Sequence, residues 1–198
     1  MKSHYLGLIY HDIPNLNKRL WKLKIPLKVK IFLWYARRGV ILTKDNLAKR
    51  NWQGNLKCCF CHENETIQHL FFDCQNARLA WAVVYAAWGL PRPNNVMDMF
   101  GSWLAGFHAD LKMMVLMGAS TMYWSIWLCR NAYIFENKTS SFLQVIYQTS
   151  HWLRMWAILQ KAGSQEVVIA ASQFLAQVAK KFFTRAFGWR SSLRIDSQ

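Results

Sequence analysis

Acidic side chains are scarce in this sequence. Ten Asp and Glu stand against 25 Lys and Arg, and they are scattered along 198 residues. A two-metal phosphoryl-transfer centre needs several carboxylates converging on its cations, so that type of polymerase or nuclease chemistry finds no support. A membrane-length apolar run is also missing. The stretch from Met113 to Cys129 is uncharged, but it contains Gly118, Ser120, Thr121 and Ser125 and reads as a buried helix rather than a span. The opening residues MKSHYLGLIYHDIP are too interrupted by histidine and aspartate to form the apolar centre of a signal peptide. The expected setting is therefore intracellular, nucleus or cytoplasm, without membrane association. Repeats and low-complexity tracts are lacking as well. None of His4, His11, His62, His108 and His151 stands at a spacing to a nucleophile that suggests a catalytic triad, so a non-enzyme is expected.

What the sequence does have is positive charge. The formal net charge is +15 and the pI is near 9.9. A field of that sign attracts polyanions, nucleic acid foremost. It is uneven: Lys and Arg crowd the first quarter of the chain, where the only acids are Asp12 and Asp45. Lys22, Lys24, Lys28, Lys30, Arg37, Arg38, Lys49 and Arg50 are the expected phosphate contacts, which give affinity and salt dependence but little sequence choice. Trp34, Tyr35, Trp52 and Phe60 are candidates for stacking on unpaired bases, with the core the alternative fate of Trp34.

The second concentration is of cysteine. Within KCCFCHENETIQHLFFDC, the most consistent metal-ligand set is Cys58, Cys61, His69 and Cys74. Two cysteines separated by two residues place both sulfurs on one cation in a tight turn, and the later pair supplies the other half of a tetrahedron. Cys59 beside Cys58, and His62 beside Cys61, are possible replacements. Three thiolates and one imidazole complete a closed structural zinc site with no position for an activated water. Thr66 is placed to cap a short helix from Ile67 to Phe72 that presents His69 to the metal.

Hydrophobic periodicity predicts a mostly α fold, a small helical Cys3His zinc module followed by an apolar helical region. Pro26 opens a helix carrying Val29, Phe32, Leu33 and Ala36 and ending at Gly39. Thr43 is the expected N-cap of a short helix through Leu47 and Ala48. Trp81, Val84, Tyr85 and Trp88 mark a packed helix over about 76–88, which Pro91 and Pro93 terminate. From Val96 to Phe135 the pattern predicts a short helix and then a long one, with Leu111, Met114, Val115, Gly118 and Met122 as its stripe. A helix starting at Ser140 or Ser141 carries Ile146, Leu153 and Trp156 and is expected to end at Gly163. The last runs from Glu166 to Phe187, with Val167, Ala171, Phe174, Leu175, Val178 and Phe182 on one side. The expected domains are 1–90, a basic zinc-binding domain, and 91–187, a helical C-terminal region, with 188–198 a flexible tail.

The segments WKLKIPLKVKIFLWYARRGVILTKDNL, KRNWQG, the CxFC pair with ETIQHLFFDC, and the tryptophan of ARLAW occur in an order that resembles the zinc-binding domain of plant LINE-type (non-LTR) retrotransposon reverse transcriptases. The likeness covers about Leu16 to Trp88, and WSIWLCRNAYIF resembles a segment that often follows. It implies that Cys58, Cys61, His69 and Cys74 ligate one Zn2+, in a domain that lies downstream of a polymerase. The polymerase's paired aspartates and the acidic cluster of a ribonuclease H are not seen here. The implied role is an accessory nucleic-acid-binding module, with RNA or single-stranded DNA as a weakly sequence-specific partner and a polymerase in trans as a further one. The alternatives are a structural or protein-interaction module, or a decayed fragment of the element.

Overall fold

A computed structural model describes residues 14–187; the expected tail at 188–198 lies outside the described residues. Among these, regular structure is helical, and the sole strand-like feature is an isolated antiparallel bridge between Lys57 and Asn64. Eight α-helices follow in order: α1 (Pro14–Lys22), α2 (Leu27–Arg37), α3 (Lys44–Ala48), α4 (Gln75–Trp88), α5 (Val96–Phe100), α6 (Ala109–Glu136), α7 (Phe142–Ala157) and α8 (Ala162–Phe187). A π-helical turn, His69–Asp73, precedes α4, and a 3-10 turn, Ser102–Leu104, follows α5.

Helix α2 forms as its spacing predicts. Val29, Phe32, Leu33 and Ala36 are buried on one face, and the chain leaves the helix through Gly39 at φ +72°. That left-handed turn is the conformation for which glycine is suited, and a Cβ there meets no other atom within 4 Å. Gly39→Ala is therefore expected to cost about 1 kcal/mol through backbone strain alone, read as a lowered urea midpoint with an unchanged slope.

The expected pair of helices after Val96 is present as α5 and α6. Helix α6 is buried all round between Val115 and Tyr123 rather than along a single stripe. Leu111, Met114, Val115, Gly118 and Met122 do share one side, where with Trp81, Trp88 and Leu153 they line an apolar cavity of about 290 Å3. Three other expectations need correction. Tyr85 is 60% exposed, although Trp81 and Val84 on the same helix are buried. Gly163 does not end a helix; α7 stops at Ala157, and Gly163 lies in the first turn of α8, where a helix does not yet depend on every residue's N–H. The buried side of α8 is Val168, Ser172, Leu175 and Ala179 with Val178, whereas Val167, Phe174 and Phe182 are exposed. One residue's shift turns a helix by about 100°, so neighbouring rows of similar hydrophobicity are easily exchanged.

Helices α6, α7 and α8 pack in succession, and α4 lies against α7 and α8. Helices α1 and α2 pack on α5, and α2 also touches α6. One continuous apolar cluster runs from Leu20 to Ala179 and crosses residues 90 and 91 without a break. Its centre is Tyr123 of α6, which stacks on Phe71 at 3.8 Å and 9° and also meets Phe72 and Phe32. Phe32 in turn lies 5.3 Å from Trp124 and 5.4 Å from Trp127. Each such ring contributes roughly 1.5–3 kcal/mol by burial. The aromatic residues beside the cysteine cluster are thus covered by the long helix that comes fifty residues later.

Candidate metal centre

The cysteine segment is closed by its own backbone. Cys58 donates its N–H to the Glu63 carbonyl at 2.7 Å, and Glu65 donates to the Leu56 carbonyl at 2.8 Å, on either side of the Lys57–Asn64 bridge. Inside this knuckle the Phe60 N–H points at Cys58 Sγ, 3.4 Å away. Thr66 then starts the helical turn as the sequence predicts, its hydroxyl accepting from the His69 N–H at 3.0 Å.

That turn is π-helical rather than α-helical. The Cys74 N–H bonds to the His69 carbonyl five residues back, at 2.7 Å. On an α-helix, residues five apart point about 140° away from each other. The wider π turn brings them toward a common side, so that His69 and Cys74 share a site. It also keeps Leu70, Phe71 and Phe72 buried.

The structure brings all four expected residues together. The ligand atoms of Cys58, Cys61, His69 and Cys74 all lie within 4.8 Å of one another. Cys58 Sγ and Cys61 Sγ are each 3.9 Å from Cys74 Sγ, and Cys61 Sγ is 3.1 Å from His69 Nε2. Zinc–sulfur bonds of about 2.3 Å in a tetrahedron place sulfurs about 3.8 Å apart, so the set fits such an ion in donor type and in spacing. Hydrogen bonds from Cys59 and Cys74 hold the Cys58 thiol far below its ordinary range, and the same bonds together with burial push Cys59 and Cys74 above it. Burial pushes Cys61 up as well. These thiols cannot all ionise beside one another unless a cation offsets their charge.

Of the two replacements considered, His62 is exposed and joins no cluster among the described residues. Cys59 belongs to a second group with Cys58 and Glu65. The Glu65 carboxylate is already committed elsewhere. Fully buried, it accepts from Arg130 Nη2 at 2.8 Å and from Arg130 Nε at 3.2 Å, and it also accepts the Lys44 N–H at 3.0 Å. Glu65, not Thr43, therefore caps α3: Thr43 stands at the N-cap, but its hydroxyl donates to Asp45. Arg130 donates further to the Leu42 carbonyl at 3.2 Å and lies over the Trp127 ring. Lys44, also buried, donates its ammonium to the Lys57 carbonyl at the foot of the knuckle. Sequence reasoning did not find this polar core, since its two charged ends are 65 residues apart; the signal was that both lie in the family-like segments, in ET and in CRN.

Several of the cations expected to meet phosphate are engaged within the protein. Lys30 donates to the Trp21 carbonyl at 3.0 Å, Lys28 sits over the rings of Trp124 and Trp152, and Arg38 covers Trp34 at 4.1 Å. Lys49 is held by Asp45 and Asn46. Arg37 is half-buried. Lys22, Lys24 and Arg50 are exposed and have no ion pair among the described residues. Among the described residues, no helix is long and apolar enough to cross a membrane.

Residues 1–81 match the family described as zinc-binding in reverse transcriptase. A protein of Arabidopsis thaliana named as a ribonuclease H protein is 27% identical over 90 residues, which are 42% of this chain. The match spans 14% of that relative's length. No solved structure matches. The likeness to reverse-transcriptase zinc-binding domains, read first from motif order, thus holds over the segment that contains the whole Cys3His cluster, and that family is an accessory domain rather than a catalytic one.

Proposed function

From a reverse-transcriptase-type zinc-binding domain over residues 1–81, we propose that this chain is a zinc-stabilised accessory module that binds nucleic acid, derived from a non-LTR retrotransposon reverse transcriptase and without polymerase or nuclease activity of its own. One structural Zn2+ is held by Cys58, Cys61, His69 and Cys74. The observation that carries this is the convergence of those four donor atoms within 4.8 Å. When bound, the ion supplies folding energy and fixes the knuckle against the π turn, and four protein donors leave no place for an activated water. Exposed Lys22, Lys24 and Arg50, with the net charge of +15, support RNA or single-stranded DNA as the partner, held through phosphates with little sequence choice.

A second reading, a protein-interaction module that meets a polymerase in trans, draws on Leu27, Ile31 and Tyr35, exposed at four-residue spacing on α2. Salt dependence separates the two. For four phosphate contacts on a single strand, affinity is expected to fall roughly 50-fold between 50 and 200 mM salt. Anisotropy titrations of a labelled single-stranded oligonucleotide at those two concentrations measure it, and an affinity indifferent to salt sinks the phosphate reading.

A further inference from the structure

Of the four aromatic residues considered for base stacking, Trp34 and Phe60 are partly buried, whereas Tyr35 and Trp52 are exposed. Trp34 is covered on one side by the Arg38 guanidinium, and Tyr35 leans on Trp34 at 5.0 Å. Phe60 packs partly on the core. Unlike Trp34 and Tyr35, Trp52 has no aromatic or cation partner among the described residues. It is 40% exposed in a segment, Lys49 to Lys57, in which every residue but Gly54 is exposed.

Its position is nevertheless fixed. The segment leaves α3 through three N–H bonds, Arg50 and Trp52 to the Leu47 carbonyl and Asn51 to the Ala48 carbonyl, with Asn51 at φ +65°. The Trp52 ring lies across Gly54 so closely that a Cβ on Gly54 would sit 1.9 Å from ring atom Cζ2. At the far end, the Lys57 N–H bonds to Asn55 Oδ1 at 2.8 Å, and Lys57 pairs with Asn64, one residue before Cys58. An indole, 40% exposed, is therefore seated on a glycine on a loop tied at both ends. The same loop carries Arg50 and Lys57, which are exposed and whose side chains make no hydrogen bond or ion pair among the described residues. The sole carboxylate between residues 44 and 57 is Asp45, which Lys49 and Thr43 engage.

We infer that Trp52 is a pre-seated stacking platform for one unpaired base, with Arg50 and Lys57 meeting the phosphates on either side. This rests on the nucleic-acid reading above and narrows it to single strands, because a base inside a duplex offers no free face. The glycine seat reduces the ordering cost of binding, since the ring is already held in place.

The test uses the full chain purified with zinc, a fluorescein-labelled dT15 and U15, and a 15-base-pair duplex, all titrated by anisotropy. Trp52→Ala is expected to weaken single-strand binding by about 5- to 150-fold, the range for losing one stacked base, with the salt slope unchanged. Trp52→Phe should recover most of that loss. Gly54→Ala, which keeps the indole but displaces it from its seat, should weaken binding in the same direction. Duplex affinity should not move in any of the three, and zinc content by native mass spectrometry should match the wild type, which separates a lost platform from a lost fold. Salt-dependent binding that Trp52→Ala leaves unchanged, or weakens equally for strand and duplex, overturns the platform while leaving the nucleic-acid reading in place. If the wild type binds none of the three probes, that reading fails and the platform fails with it.

Discussion

Replacing Cys74 by Ser is expected to release the zinc and melt the segment from the knuckle to the start of α4. Cys74 is fully buried, and it ends the π turn through its N–H while its carbonyl accepts the Arg78 N–H at 2.8 Å, inside α4. It therefore joins the metal to the helix that packs on α7 and α8. Structural zinc supplies roughly 10–16 kcal/mol of apparent binding free energy to a site of this kind. With the ion released that contribution is lost to the segment, and at about 2 °C per kcal/mol for a chain of this size Tm is expected to fall by at least about 20 °C. Cys129→Ser is the control, because that thiol is buried on α6 and its neighbour is Gln148 Oε1 at 3.5 Å, not the cluster. Native mass spectrometry should give one zinc for the wild type and for Cys129→Ser, and none for Cys74→Ser. Full metal retention by Cys74→Ser, or equal loss from both, would remove that ligand set.

What could be read from the sequence divides along a physical line. Helix α2 was legible because Val29, Phe32, Leu33 and Ala36 repeat at one period and are bounded by Pro26 and Gly39, so local rules decide it. The Cys3His cluster was legible for a similar reason, since its four ligands fall within 17 consecutive residues and their spacing limits the geometry. The buried side of α8 was not. Val167 and Val168 are equally apolar, and the choice between them is made by α7 and α4, not by the helix itself. Charge counting does not reach the surroundings of each cation. It registers that Lys28, Lys30 and Arg38 are cations but not that indole rings and a backbone carbonyl engage them. The π turn has no local signature either; only the placement of His69 and Cys74 on one side explains it.

The Glu65–Arg130 pair leads to the second large effect. Arg130→Ala is expected to destabilise the chain by about 3–5 kcal/mol, since it leaves a carboxylate buried without its counter-charge. Glu65→Gln should cost a comparable amount. It strands the guanidinium, although an amide oxygen can still accept from the Lys44 N–H. Removing both charges, as Glu65→Gln with Arg130→Ala, should cost clearly less than the sum of the two, because neither ion is then left unpaired. Urea unfolding of the four proteins closes this cycle, and strict additivity would mean that the two groups do not act as a pair. The location of the damage matters as much as its size. Glu65 ties α3 to the knuckle and precedes Thr66, which starts the π turn, so the Arg130→Ala chain should also lose zinc to a competing chelator faster than the wild type. In that case the unit that holds the metal extends beyond residue 81, where the family match ends, to Arg130 on α6. If Arg130→Ala unfolds at lower urea yet exchanges zinc at the wild-type rate, the pair only tethers the long helix, and the cluster stands without it.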